Sequence, residues 1–86
     1  MTLQIGKTNF LKIQARFEVR KLGLPDRVLI AIYTAIDRVR LPFTEFLNAT
    51  NKDIIEAFIS RVMAGLTDIE EKYKEDIKKC LIAELY

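Results

Sequence analysis

The sequence has no histidine, no tryptophan and one cysteine, Cys80, among its 86 residues. Without a second cysteine an internal disulfide is impossible, and without histidine a structural zinc site of the cysteine–histidine kind is excluded. Histidine is also the commonest general base and the base of most nucleophilic triads. The composition therefore predicts a protein that is not an enzyme, with no catalytic residue, no metal and no cofactor.

A long apolar run is missing as well. Residues 28–36 carry no charge, but Asp37 and Arg38 follow them, and a helix needs about 18–20 apolar residues to cross a bilayer. Residues 1–9 contain no apolar segment typical of a secretory signal. With one free cysteine, these absences predict a single cytoplasmic domain without a membrane segment.

Charge is distributed unevenly along the chain, although the net charge is only +2. Residues 1–43 hold eight basic and three acidic side chains, a balance of +5, and residues 44–86 hold six basic and nine acidic, a balance of −3. Such an asymmetry indicates that the N-terminal half meets an anionic partner, although solvated faces with no partner would explain it equally well.

Residues 10–20, "FLKIQARFEVR", alternate apolar and polar side chains, which predicts a β-strand. As a helix the same segment would divide its apolar side chains into two groups, with Phe10, Ile13 and Phe17 on one side and Leu11, Ala15 and Val19 on another. Residues 1–9 are expected to be flexible or to form a short strand. The strand is the favoured interpretation, and an all-α helical bundle is the alternative.

Three helices are predicted after this segment, over residues 25–40, 44–64 and 67–86. Pro25 and Asp26 suit the start of the first, and Pro42 separates it from the second. Two starts are open for the second helix, one at Thr44 and one at Thr50 or Asn51. "TDIE", residues 67–70, predicts a capping box at the start of the last helix. The expected fold is mostly α with one short N-terminal strand.

The motifs "KIQARF", "LPDRVL" and "LPFTEFL" resemble the ribbon-helix-helix family of Arc-type and methionine-repressor-type DNA-binding proteins. The resemblance covers about residues 11–63. Two features depart from the family pattern: residues 19–24 are inserted between strand and helix, and residues 40–42, "RLP", stand where a glycine is common.

This resemblance implies an intertwined homodimer that regulates transcription by placing a two-stranded β-ribbon in the major groove. The implied DNA-binding residues are Lys12, Gln14, Arg16, Arg20, Lys21, Thr44, Thr50 and Asn51, with Arg38 as a further backbone contact. The implied dimer interface consists of Ile13, Ala15, Phe17, Val28, Ile32 and Ile36.

The alternative function is a small helical protein–protein interaction module, such as an adaptor, an inhibitor or a viral-type accessory protein. It would self-associate or bind a partner through the apolar helix at residues 25–40. A third interpretation is a structural subunit that self-assembles through its N-terminal strand. A long strand at residues 11–19 would favour the DNA-binding dimer, and a helix there would favour a protein partner.

Overall fold

In a computed structural model, the chain is described over residues 2–86, with side chains for residues 6–42 and 44–86. These residues form four α-helices and one short 3₁₀ turn. The elements are α1 (Thr2–Arg20), α2 (Asp26–Asp37), the turn Phe43–Glu45, α3 (Asn51–Ala64) and α4 (Glu71–Leu85). The expected N-terminal strand is therefore wrong, and the all-helical alternative describes the fold over the described residues.

Helix α1 includes the segment 10–20 that was expected to be a strand, and most of the segment 1–9; Met1 lies outside the described residues. Leu11, Ala15 and Val19 repeat every four residues and are buried. A strand would need a pairing partner for its backbone, whereas a helix satisfies its own N–H and C=O groups. Packing of this stripe against the other three helices then stabilises α1.

The turn into α2 uses Gly23, whose φ of +67° is readily accessible to glycine. Pro25 is the N-cap residue and Asp26 is the first helical residue, so α2 begins one residue after the predicted start at Pro25. Helix α2 ends at Asp37, three residues before the expected end. Its apolar arc is covered by α1 and α3 rather than left for a partner; the buried residues are Val28, Ile32, Ala35 and Ile36.

Helix α3 begins at the second of the two expected starts. Thr50 is its N-cap: the Thr50 hydroxyl accepts a hydrogen bond from the Asp53 N–H at 3.2 Å, and the Asp53 carboxylate accepts one from the Thr50 N–H at 3.3 Å. This reciprocal capping box satisfies two N–H groups at the helix start. Thr44 lies in the separate 3₁₀ turn.

Helix α4 begins four residues later than predicted. Its N-cap is Glu70, which makes no side-chain capping hydrogen bond, so the expected capping box at residues 67–70 is not formed. Ile77, Leu81 and Leu85 are buried against the other helices. No helix within residues 2–86 combines the length and apolar character needed to cross a membrane.

Candidate interaction surface

The side of α1 that faces away from the core is apolar. Phe10, Ile13 and Phe17 are 57%, 61% and 50% exposed, whereas Leu11 and Ala15 on the opposite side are buried. Phe10, Ile13 and Phe17 follow one another at spacings of three and four residues, which places them on one helical face. We call Phe10, Ile13 and Phe17 the α1 outer stripe.

One edge of the α1 outer stripe faces the C-terminal end of α2. The Lys12 ammonium donates a hydrogen bond to the backbone carbonyl of Asp37 at 2.9 Å. Arg16 lies one turn further along this edge and, with Asp37 and Arg38, lines a surface groove beside it. Because Lys12, Arg16 and Arg38 outnumber the single carboxylate of Asp37, we call this the basic edge.

The other edge faces the C-terminal end of α4. The Gln14 amide donates a hydrogen bond to the backbone carbonyl of Glu84 at 3.0 Å. Further along, the Lys21 ammonium lies 3.2 Å from the Glu18 carboxylate and 4.5 Å from the centre of the Phe17 ring. The mixed charge of this edge contrasts with the basic edge.

The structure separates the residues that the ribbon interpretation grouped for DNA binding. Lys12 and Gln14 bind backbone carbonyls of different helices on opposite sides of α1, so Lys12, Gln14 and Arg16 do not form one row. Arg20 and Lys21 are exposed at the end of α1. Thr44 and Asn51 are exposed as well, and the Thr50 hydroxyl is engaged in its helix cap.

The six residues expected at a dimer interface also separate into two groups. Ile13 and Phe17 are exposed in the α1 outer stripe. The other four are buried in the core of this single chain, so a second copy cannot reach them in this fold; they are Ala15, Val28, Ile32 and Ile36. These four residues thus pack within one copy of the chain.

A second surface feature was missed from the sequence. Arg38, Arg40 and Arg61 line one groove of about 490 Å³ at the junction of α2 and α3. Of these, Arg38 alone was singled out from the sequence. Arg61 lies on a different helix, so its proximity to Arg38 and Arg40 depends on the packing of α3 against α2.

Cys80 offers no sign of an activated nucleophile. Burial raises the pKa of its thiol, and the nearby carboxylates of Glu18 and Glu84 raise it further. Because the thiolate is the nucleophilic form, these surroundings disfavour thiol chemistry at neutral pH.

The sequence matches no protein-family model, and comparison with curated proteins and with solved structures gives no match either. The resemblance to the ribbon-helix-helix family therefore gains no support from these comparisons. The helix at residues 10–20 also removes the strand on which that resemblance was based.

Proposed function

We propose that this protein is a small protein–protein interaction module that binds an acidic amphipathic helix of a partner protein along α1. The observation that carries the proposal is the exposure of Phe10, Ile13 and Phe17 on one helical face. Together they leave a few hundred Å² of apolar side chain in water, and contiguous patches of this size on small proteins are often functional.

The proposal moves the partner surface from α2, where the sequence placed it, to α1. The apolar face of α2 is buried within the chain, whereas the α1 outer stripe lies opposite the core. A helix laid along α1 would cover the stripe with side chains at helical spacing, which is how amphipathic helices bind apolar surfaces.

Charge decides which partner fits. Within α1, Lys7, Lys12, Arg16 and Arg20 are opposed by Glu18 alone, so carboxylates beside the partner's apolar face would meet positive charge. A second copy fits less well, because a two-fold antiparallel pair of α1 helices sets the basic edge against itself. A parallel pair would set it against an edge whose Glu18 is already paired with Lys21.

Two synthetic peptides test this assignment. Both have a leucine stripe at helical spacing over about five turns; one has glutamate beside the stripe and the other has lysine at the same positions. Fluorescence anisotropy at low salt should show the glutamate peptide binding at least about tenfold more tightly than the lysine peptide. Equal affinity of the two peptides, or no binding of either, would refute the charge argument.

Two substitutions of isoleucine by glutamate, one inside the stripe and one outside it, provide the test variant and its matched control. Ile13→Glu should reduce binding of the glutamate peptide at least about tenfold, because it places a carboxylate in the stripe. Ile30→Glu should leave binding within about twofold, since Ile30 on α2 is 64% exposed and lies outside the stripe. An equal loss with both variants would contradict a site on α1.

Light scattering tests the alternative that a second copy of this chain covers the α1 outer stripe. We expect a monomer at the concentrations used for peptide binding, in agreement with the like charges along the basic edge. A dimer that Ile13→Glu dissociates and Ile30→Glu does not would replace the acidic partner with a second copy of this chain. That result would overturn the partner assignment.

A further inference from the structure

Three arginines line one groove where the C-terminal end of α2 lies beside α3. Arg38 caps the C-terminus of α2, Arg40 follows in the loop, and Arg61 lies on α3. The groove between them is also lined by Ala31, Thr34, Ala35, Val39 and Gly65. None of these described lining residues is acidic, so the groove concentrates three positive charges without a counter-charge in its wall.

These arginines also lack carboxylate partners elsewhere on the described surface. The ion pairs within 4.0 Å join Lys21 to Glu18, Arg27 to Glu70 and Lys74 to Glu71. Arg61 instead lies 5.4 Å from the centre of the Phe46 ring. Arg38 gains stability from the negative end of the α2 dipole, but this does not account for Arg40 or Arg61.

The basic surface continues beyond this groove. An adjoining groove of about 680 Å³ shares Arg38 and Arg40 and adds Lys12, with Asp37 as its acidic lining residue. Arg38, Arg40 and Arg61 are all exposed rather than enclosed. An open track with several cations suits a chain of phosphates better than one small anion, which would leave most of the charges unpaired.

We infer that the groove of Arg38, Arg40 and Arg61 binds the phosphate backbone of a nucleic acid. Guanidinium groups match phosphate oxygens in a bidentate geometry. The described lining residues of the two grooves include no aromatic side chain on which a base could stack. We therefore expect the arginines to contact phosphates rather than bases, with an affinity independent of sequence, which differs from the base-reading ribbon expected from the family resemblance.

This inference does not rest on the proposed protein-binding function: the groove contains none of Phe10, Ile13 and Phe17, and of its three arginines Arg38 alone also lines the groove beside the basic edge of α1. The binding probe is a labelled double-stranded DNA oligonucleotide of mixed sequence, compared with a shuffled version of equal composition. Three phosphate contacts predict a slope of about −3 in a plot of log affinity against log salt, and equal affinity for both sequences.

Two triple variants with the same change in net charge locate the site. Arg38→Gln, Arg40→Gln and Arg61→Gln together should weaken DNA binding at least about tenfold and flatten the salt slope towards zero. Lys52→Gln, Lys78→Gln and Lys79→Gln remove three exposed cations elsewhere and should cost less than about threefold. Circular dichroism of both variants checks that the helices are retained.

Four outcomes would overturn the inference. The first is no shift of the duplex at about 50 mM salt, where phosphate contacts are strongest. The second is an equal loss in the two triple variants, which would indicate general charge attraction. The third is full competition by inorganic pyrophosphate at the affinity of the oligonucleotide, which would assign a small anion. The fourth is preferential binding to phosphatidylglycerol vesicles, which would assign a lipid surface.

Discussion

The guanidinium of Arg27 binds the carboxylate of Glu70 through two hydrogen bonds, Nη1 to Oε1 at 3.1 Å and Nη2 to Oε2 at 2.5 Å. The pair joins the first turn of α2 to the N-cap of α4. The Arg27 hydrogen bonds are the main reason that the pKa of Glu70 falls to about 2. This bidentate pair thus connects two helix starts that are distant in sequence.

The first prediction concerns the pH range over which this pair acts. A carboxyl whose pKa is lower in the folded than in the unfolded state stabilises the fold above the unfolded pKa, and the contribution is lost as pH falls through the folded one. The stability difference between wild type and Arg27→Ala should therefore be constant near neutral pH and shrink as pH falls from about 4.5 towards 2. Because both side chains are exposed, we expect the difference to be small.

Nuclear magnetic resonance of the Glu70 side-chain carboxyl carbon gives the direct measurement. In the wild type the resonance should keep its ionised position at pH 3.5, and in Arg27→Ala its midpoint should rise towards the usual range of a glutamate. Arg20→Ala, which removes an exposed cation from α1, serves as the control and should leave the Glu70 midpoint unchanged. A wild-type midpoint above 4 would contradict the bidentate pair.

The second prediction distinguishes a helical α1 from an extended one by substitutions at Ile13 and Ala15. These two residues would share one face of a strand, but they lie on different sides of the helix, where Ile13 is 61% exposed and Ala15 is fully buried. Ile13→Glu should change the free energy of unfolding by less than about 0.5 kcal/mol. Ala15→Glu buries an unpaired carboxylate and should cost about 3 kcal/mol or more.

Urea denaturation followed by circular dichroism measures both effects. Ala15→Ser provides a further control, because it adds one polar atom at the same position without a charge and should have an intermediate cost. Similar large losses for Ile13→Glu and Ala15→Glu would indicate that both face a core, as in the expected strand. Similar small losses would place Ala15 outside the core.

Local signals explain which elements could be predicted from the sequence. Pro25 and Asp26 mark the start of α2, and Thr50 with Asp53 forms a capping box from residues three apart. The competing start at Thr44 has Leu47 three residues later, so it lacks the acidic partner of a capping box. Both starts stayed open because "LPFTEFL" resembles the opening of the second helix in the ribbon-helix-helix family.

Helix α1 was mispredicted because its apolar residues fit two periods. The odd-numbered positions from Leu11 to Val19 are all apolar, which is the pattern of a half-buried strand. Every second one of them, Leu11, Ala15 and Val19, also makes a helical stripe. Which of the two patterns forms depends on the surfaces of the other three helices. In the helix, Ile13 and Phe17 are the odd-numbered residues left outside the buried stripe, and together with Phe10 they form the exposed α1 outer stripe.

The arginine groove could not be predicted for a related reason. Arg38 and Arg40 are near each other in sequence, but Arg61 belongs to another helix whose angle to α2 is set by packing. Charge counting showed an excess of cations in residues 1–43 and gave no reason to include a residue of the acidic half. Spatial clustering of charge is therefore a property of the tertiary structure here.

The third prediction concerns the close approach of α2 and α3 beneath this groove. A Cβ added at Gly65 would lie 3.1 Å from the Ala35 Cβ and 3.6 Å from its Cα. Since these atoms belong to the rigid part of a helix, the two helices must separate, and Gly65→Ala should destabilise the fold by about 1 kcal/mol. Gly65 has a φ of −80°, so backbone strain does not contribute.

A double-mutant cycle isolates this contact from the general effects of glycine. Ala35→Gly removes the opposing Cβ, so Gly65→Ala should cost at least about 0.5 kcal/mol less in the Ala35→Gly background than in the wild type. Gly6→Ala is the control for helix propensity: an added Cβ meets no atom within 4 Å there, and the variant should gain up to about 1 kcal/mol. Urea denaturation of the four cycle members gives the coupling free energy. Zero coupling would show that Ala35 and Gly65 do not set the distance between α2 and α3, and the floor of the arginine groove would then not depend on this contact.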